Sequence, residues 1–266
     1  YNKMKKYLVI GNPIEHSLSP KLHNFWISQN NLDATYNKML LDERNIKEII
    51  VELKKDKISG INVTVPFKKT VIQFMDQLTP VAKETQSVNT IYKKENKIIG
   101  GNTDVGGFEC ALKHINFDAR DKKVFILGAG GVVSSIILTL KKMGAKIVLS
   151  NRTKEKAENL KKIFSDLEIV DWGKTIDFDV VINATSLGLK QEDKIGIDFG
   201  EYKNKLFYDV IYNREKTNFI LEGEKLGNKV ENGKTMFLYQ AQLAFEIWHG
   251  IKPKIDKKVF QLLNND

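Results

Sequence analysis

Several groups of residues in this sequence have the types and spacing to do chemistry. The first is the turn Gly128-Ala129-Gly130-Gly131, which follows the apolar run at 124–127 and precedes a helical pattern. Glycines there allow a tight turn and a close approach of backbone amides to a phosphate. The free N–H groups at the start of the next helix then favour an anion. Apolar runs before Gly-x-Gly also occur in plain loops, so the turn alone does not decide. The second group is Asn151-Arg152-Thr153, at the end of the next strand pattern. A site for NAD places an acidic side chain there, about twenty residues past the glycines, to accept from the ribose 2′-hydroxyl. No Asp or Glu stands at 149–154, and arginine's planar fork matches a phosphate. The residues predict NADP; an ordinary helix cap beside a surface arginine is the alternative.

Ser17 and Ser19 place two hydroxyls at a strand-to-helix turn, where they can bind a carboxylate together with backbone amides. Ser19 followed by Pro20 also reads as an N-cap and first helical residue; Ser17 has no such explanation. Asn62, Thr64 and Lys68 stand at the carboxyl end of a strand that stops at Pro66. Open α/β sheets bind ligands at such ends. On local sequence Lys68 reads equally as one more surface lysine. Asp104 falls in the first turn of a helix, where a carboxylate suits the dipole and capping is a sufficient reason for it.

The elements that must position these groups alternate. Strands at 6–11, 34–39 and 58–66 enclose a helical pattern that starts at Ser19-Pro20 and a helix at 42–55, which predicts an α/β unit with a largely parallel sheet. The first helix turns Leu22, Phe25, Trp26 and Ile27 inward. In the third strand Asn62 and Thr64 share one face, and Ile61, Val63 and Val65 the other. A hairpin follows over 87–101, turning at 94–96, and a helix runs to His114. The second half reads as a doubly wound unit with strands at 124–127, 145–149, 179–183 and 205–212, its switch point at the glycine turn. A long helix at 236–249 and another at 257–263 close the chain. The predicted fold class is therefore α/β, with an N-terminal α/β domain and a Rossmann-type doubly wound domain. The expected division is 1–103, 104–235 and 236–266.

A chain of 266 residues that is 42% hydrophobic can bury a sizeable core in one or two domains. The net charge of +9 suits anionic partners. The lysines are scattered in pairs, with no aromatic-interleaved basic stripe and no helix-turn-helix pattern, so nucleic acid is not an expected partner. A single cysteine, Cys110, excludes a disulfide framework and fits a reducing compartment. No signal pattern and no long apolar run is present, which predicts a cytoplasmic protein without membrane association. The histidines (16, 23, 114 and 249) lack metal-ligand spacing, and no metal is expected.

From end to end the chain resembles the shikimate dehydrogenases. The resemblance is carried by Ser17-Leu18-Ser19-Pro20, Asn62-Val63-Thr64-Val65-Pro66-Phe67-Lys68, Val88-Asn89-Thr90, Asn102-Thr103-Asp104 and the glycine turn. Asn151-Arg152-Thr153, Asn183-Ala184-Thr185-Ser186, Asp209-Val210-Ile211-Tyr212, and Gly233 with Met236, Gln240 and Ala241 complete it. It implies NADP-dependent reversible reduction of 3-dehydroshikimate to shikimate, in chorismate and aromatic amino-acid synthesis. By the same resemblance Lys68 and Asp104 form the catalytic pair. Ser17 and Ser19 hold the substrate carboxylate; Asn62, Asn89 and Gln240 bind ring hydroxyls; Thr64 and Tyr212 help close the pocket. Gly128, Ala129, Gly130 and Gly131 take the pyrophosphate, and Asn151, Arg152 and Thr153, with Lys156, the 2′-phosphate. Asn183, Thr185 and Ser186 approach the dinucleotide, and Gly233 and Met236 lie beside the nicotinamide. The C-terminal helices are expected to return to the substrate domain, and the protein to be a monomer or homodimer.

The chain departs from the family pattern at several places. Val133 stands at the third position of Gly-x-Gly-x-x-Gly, which predicts an altered seat for the following helix. Gln86-Ser87 replaces Gly-Ala, and Arg214 and Asn218 stand where prolines are usual. Two other readings are a quinate/shikimate dehydrogenase that prefers NAD, and a non-catalytic nucleotide-binding protein of the same fold.

Overall fold

A computed structural model describes residues 3–213 and 215–264, so Arg214 lies outside the described residues. The chain forms two compact units, one running through Gly107 and resuming at Leu238, the other spanning Phe108–Phe237.

The first unit contains β1 (Lys5–Gly11), α1 (Ser19–Gln29), β2 (Ala34–Leu40), α2 (Ile46–Lys54), β3 (Gly60–Val63), β4 (Gln77–Leu78), α3 (Pro80–Thr85), β5 (Thr90–Lys94), β6 (Lys97–Gly101) and the first turn of α4 (Asp104–His114). The strands form one sheet in the order β2-β1-β3-β5-β6-β4. β1 pairs parallel with both β2 and β3, as helical crossovers require, whereas β5 runs antiparallel to β3 and β6. The β5–β6 turn places Glu95 at φ 49° and Asn96 at φ 62°, the two positive angles of a two-residue hairpin turn. Ile10, Ile61, Val63, Val88 and Ile91 centre the core.

β3 is shorter than the sequence suggests, and all four of its residues are buried. Val65, expected on one strand face with Ile61 and Val63, is instead 59% exposed while those two are buried. The strand ends because the chain turns after Thr64, whose carbonyl accepts from the Phe67 N–H at 3.0 Å. Phe67 then takes the inward position. At the end of α3, Gln86 occupies the left-handed region (φ 51°), a conformation that favours the glycine usual in the family.

The second unit contains the rest of α4, then β7 (Lys123–Leu127), α5 (Val133–Lys142), β8 (Lys146–Ser150), α6 (Lys154–Ile163), β9 (Glu168–Ile169), β10 (Val180–Asn183), β11 (Leu206–Asp209), α7 (Asn218–Lys225), β12 (Lys229–Glu231) and the start of α8 (Lys234–His249). Its sheet is parallel throughout, in the order β12-β11-β10-β7-β8-β9. Counted from β7 this is the 3-2-1-4-5-6 order of a dinucleotide-binding unit, with the switch point between β7 and β10. Helix α8 continues into the first unit, and α9 (Lys257–Leu262) follows it.

An aromatic cluster in the first unit has a consequence for stability. His23 of α1 is 1% exposed and stacks on Tyr36 with ring centroids 4.2 Å apart at 7°. Trp26, Phe245 and Trp248 surround it, and its buried Nδ1 has no hydrogen-bond partner among the described residues. Burial, with the nearby His249 adding to it, pushes the His23 pKa down from 6.5 to about 3. Burial likewise takes His249 down to about 4. The unfolded chain binds these protons near pH 6.5 and the native chain does not, so stability falls as pH drops from about 6.5 toward 3. For His23 alone the loss at pH 5 is about 2 kcal/mol. His23→Phe, which keeps the stack, is expected to flatten the fall in urea midpoint between pH 7.5 and 5. An unchanged fall would show that this histidine is not its source.

Candidate active site

In the first unit, the turn after β3 and the start of α4 bring a lysine and a carboxylate together. Lys68 Nζ donates to Asp104 Oδ2 at 2.7 Å, with side chains only 13% and 6% exposed. The Lys68 carbonyl accepts from Val88 N–H at 2.8 Å, which ties its turn to the segment leading into β5. Capping does not account for Asp104. Asn102 caps α4 instead, its Oδ1 accepting from the N–H groups of Asp104 (2.8 Å) and Val105 (3.1 Å). The Asp104 carboxylate is thereby free for Lys68 on one oxygen and, on the other, for Asn89 Nδ2 at 3.2 Å.

The Asn89 amide has no choice of orientation. Its Oδ1 accepts from the Thr103 N–H at 2.7 Å and the Thr90 hydroxyl at 3.1 Å, so its Nδ2 must face Thr103 Oγ1 and Asp104. Gln240 Oε1 lies 3.5 Å from the same Nδ2. Gln240 is on α8, and it reaches this point because Gly107 of α4 leaves room. A β-carbon on Gly107 would stand 2.8 Å from Gln240 Cβ and 2.9 Å from its backbone nitrogen. Asn62 is also buried, accepting from the Tyr36 hydroxyl at 2.7 Å and donating to the Asn89 carbonyl and Thr90 Oγ1, each at 3.1 Å.

At the start of α1 the expected N-cap shifts by one residue. Leu18 already has helical backbone angles (φ −90°, ψ −1°) and holds the cap position, so Ser19 is the first helical residue. Ser17 Oγ accepts from the Ser19 N–H at 3.3 Å. The Ser19 side chain is buried. Thr64 packs over Gly11, where a β-carbon would meet its methyl group at 2.5 Å. Of the residues expected at the substrate, the first unit thus contains Ser17, Ser19, Asn62, Thr64, Lys68, Asn89, Asp104 and Gln240, whereas Tyr212 belongs to the second. The Tyr212 ring packs on Phe237 at 5.4 Å, and burial raises its pKa.

In the second unit the glycine turn follows β7. Gly128 has φ +117°, and a β-carbon there would stand 2.5 Å from the Ala184 carbonyl oxygen, so the site demands glycine. Gly130 and Gly131 are exposed, and a β-carbon on Gly130 would meet no atom within 4 Å. Val133 is fully buried at the start of α5, so the core absorbs its larger side chain. Beyond β8, Asn151 Nδ2 donates to the Thr153 carbonyl at 2.9 Å, which folds the turn and leaves Arg152, Thr153 and Lys156 exposed.

Asn183 is fully buried and its amide is engaged inside the protein. Nδ2 donates to Leu187 O (2.9 Å) and Asp209 Oδ1 (3.1 Å), while Oδ1 accepts from the N–H and hydroxyl of Thr185 (3.1 and 2.7 Å). Thr185 Oγ1 in turn accepts from the Leu187 N–H at 3.0 Å, and Ser186 is exposed on the resulting turn. Asn183 therefore shapes this turn from within. Its partner Asp209 also accepts from Ile211 N–H (3.0 Å) and Thr217 Oγ1 (2.6 Å). Burial lifts the Asp209 pKa from 3.8 to about 6, against the pull of these three donors. Gly233 is obligatory, since a β-carbon there would lie 1.8 Å from Val210 O, and Met236 is buried beyond it. Asn218, where the family has proline, uses its amide to hold the carbonyls of Gln191 (3.0 Å) and Asp193 (2.9 Å).

Sequence reasoning assigned no role to Tyr36, Asn102, Gly107 or Asp209, although Asn102 and Asp209 stand in motifs that carry the resemblance. The Asn-x-Asp spacing at the head of α4 was a usable cap signal for Asn102, and an acid ending an apolar strand a usable signal for Asp209. Tyr36 sits mid-strand and has no local signal.

Residues 9–91 match the shikimate dehydrogenase substrate binding domain, 109–190 the shikimate/quinate 5-dehydrogenase domain, and 233–257 the shikimate 5′-dehydrogenase C-terminal domain. The chain is 56% identical over 262 residues to shikimate dehydrogenase (NADP(+)) of Pelagibacter ubique, covering 98% of this chain and 99% of that protein. It is similar to the crystal structure of shikimate dehydrogenase from Aquifex aeolicus, with 35% identity, a TM-score of 0.89, and coverage of 100% and 99%. It is also similar to the Thermus thermophilus enzyme solved in complex with NADP(H) and shikimate, at 29% identity and a TM-score of 0.85, covering 94% and 95%. Matches along the whole chain, in the order in which its two units use their residues, place it in the shikimate dehydrogenase family.

Proposed function

We propose that this protein catalyses the NADPH-dependent, reversible reduction of 3-dehydroshikimate to shikimate, a step of chorismate and aromatic amino-acid biosynthesis. The observation that carries the reading is the buried Lys68–Asp104 pair, 2.7 Å apart and bordered by the amides of Asn89 and Gln240. A polyhydroxylated ring acid needs neutral donors and acceptors around one ammonium group, and this cluster supplies them.

In this reading residues 1–103 and 236–266 serve the substrate, and 104–235 serve NADP. The second unit fits the cofactor: the backbone at Gly128 and Gly130 can approach a pyrophosphate, and Arg152 is exposed for a 2′-phosphate. NADPH, when bound, would supply the hydride for the C3 carbonyl. Lys68 delivers a proton to the C3 oxygen, and its positive charge stabilises the alkoxide as it develops. Asp104 orients the ammonium and restrains it from alternative partners. Ser17 and Ser19 hold the carboxylate; Asn62, Asn89 and Gln240 bind ring hydroxyls; Thr64 and Tyr212 bound the pocket. Asn151, Thr153 and Lys156 assist Arg152, and Ala129, Gly131, Thr185, Ser186, Gly233 and Met236 line the dinucleotide. Asn183 acts by shaping the turn that carries Thr185 and Ser186. Anionic substrate and cofactor account for the excess of basic residues without nucleic acid. No helix among the described residues is long and apolar enough to cross a membrane, and we infer a cytoplasmic monomer or homodimer.

The direct test is the loss of absorbance at the NADPH band when 3-dehydroshikimate is added; a folded protein without turnover refutes the assignment. A higher rate with NADH than with NADPH would favour the NAD-preferring quinate/shikimate reading. Lys68→Ala is expected to lower kcat by a factor on the order of 100 or more while changing the shikimate KM far less. Turnover equal to wild type would remove Lys68 from the mechanism. Arg152→Ala is expected to raise the NADPH KM about tenfold and leave NADH use unchanged. Equal damage to both cofactors would show that Arg152 does not read the 2′-phosphate.

A further inference from the structure

We propose that Tyr36 is a positioning residue for the substrate site, its hydroxyl holding Asn62 in the orientation that substrate binding needs. The inference rests on the assignment of Asn62 to shikimate. The Tyr36 hydroxyl donates to Asn62 Oδ1 at 2.7 Å. Tyr36 is on β2 and Asn62 on β3, and β1 lies between these strands in the sheet. The phenol thus bridges two strands that do not pair.

The ring is held on every side that the structure describes. Asn24 of α1 clamps the Tyr36 backbone, donating from Nδ2 to its carbonyl at 2.8 Å and accepting its N–H on Oδ1 at 2.9 Å. His23 stacks on the ring face, and Trp248 lies 6.1 Å away. Because Asn62 Oδ1 takes the phenol proton, its Nδ2 is directed to the Asn89 carbonyl and Thr90 Oγ1. The orientation is therefore passed on to Asn89, whose own amide faces Asp104. Without the hydroxyl, Asn62 would bury an unsatisfied acceptor. Its side chain would then reorient in the free enzyme, weakening ground-state and transition-state binding alike. That predicts an effect on KM with little on kcat.

The test is Tyr36→Phe in the full-length enzyme, which keeps the ring and its stacking. The shikimate KM is expected to rise about tenfold, with kcat within about threefold of wild type and the NADP KM unchanged. In an Asn62→Ala background the same substitution is expected to raise the shikimate KM by only about threefold, because its effect passes through Asn62. An unchanged shikimate KM, equal rises for shikimate and NADP, or full additivity with Asn62→Ala would each overturn the inference. Should Tyr36→Phe fail to fold, Asn24→Ala loosens the clamp and leaves the hydroxyl in place. It is expected to raise the shikimate KM about threefold, and no change would be decisive against the proposal. A wild-type protein that does not oxidise shikimate would instead refute the functional assignment on which the inference stands.

Discussion

Keeping a lysine and an aspartate together almost out of water imposes the strictest demand on the first unit. Removing two charges from solvent costs several kcal/mol for each ion, and their attraction offsets this only where the remaining hydrogen-bonding capacity is satisfied. The surroundings of Lys68 and Asp104 meet that condition residue by residue. Asn102 takes over the capping of α4, so that the Asp104 carboxylate is released from it. Asn89 satisfies the second carboxylate oxygen, and Thr103 and Thr90 fix the direction of the Asn89 amide. Asn62 and Tyr36 extend the same chain of bonds to β2, whose backbone Asn24 ties to α1. Partial satisfaction would be worse than an apolar core, which explains why so many short polar side chains are spent around one ion pair.

The second unit solves a different problem, that of presenting backbone groups. A parallel sheet buried on both faces exposes useful chemistry only at its strand ends. Here those ends are shaped by a few polar residues that themselves face inward. Asp209 gathers Asn183, Ile211 and Thr217, and Asn183 in turn bends the chain through Thr185 and Leu187. Gly128 and Gly233 serve the same end by subtraction, since the Ala184 and Val210 carbonyl oxygens occupy the places where their β-carbons would stand. Departures from the family pattern are absorbed locally: Val133 enters the core, and Asn218 ties down the loop at 191–193 with its amide.

Much of this was legible along the chain. Alternating apolar runs and helical periods mark the α/β units because burial on a sheet and on a helix face impose different periods. The glycine turn and the Asn-Arg-Thr tip are legible because a phosphate site needs a short contiguous stretch. The limits of the reading were also physical. The span assigned to the third strand ran past Val63 because nothing local shows where the chain leaves the sheet, and Val65 lies outside the strand whose face it was assigned to. Leu18, rather than Ser19, became the cap, since only the built backbone reveals where helical angles begin.

By itself the sequence determined the fold class, the phosphate-binding turn and, through its motifs, the family, all of which depend on local patterns or on their order. The tertiary structure decided which polar residues act on ligands and which act on one another. On local grounds Lys68 was as readily a surface lysine, and its meaning came from a carboxylate 36 residues away that the fold brings to 2.7 Å. Tyr36 and Asp209 carried no local signal of comparable weight, because their importance lies in partners on other strands. A hydrogen bond between distant segments has no period and no spacing in the chain; it exists only once the sheet has set the strand order.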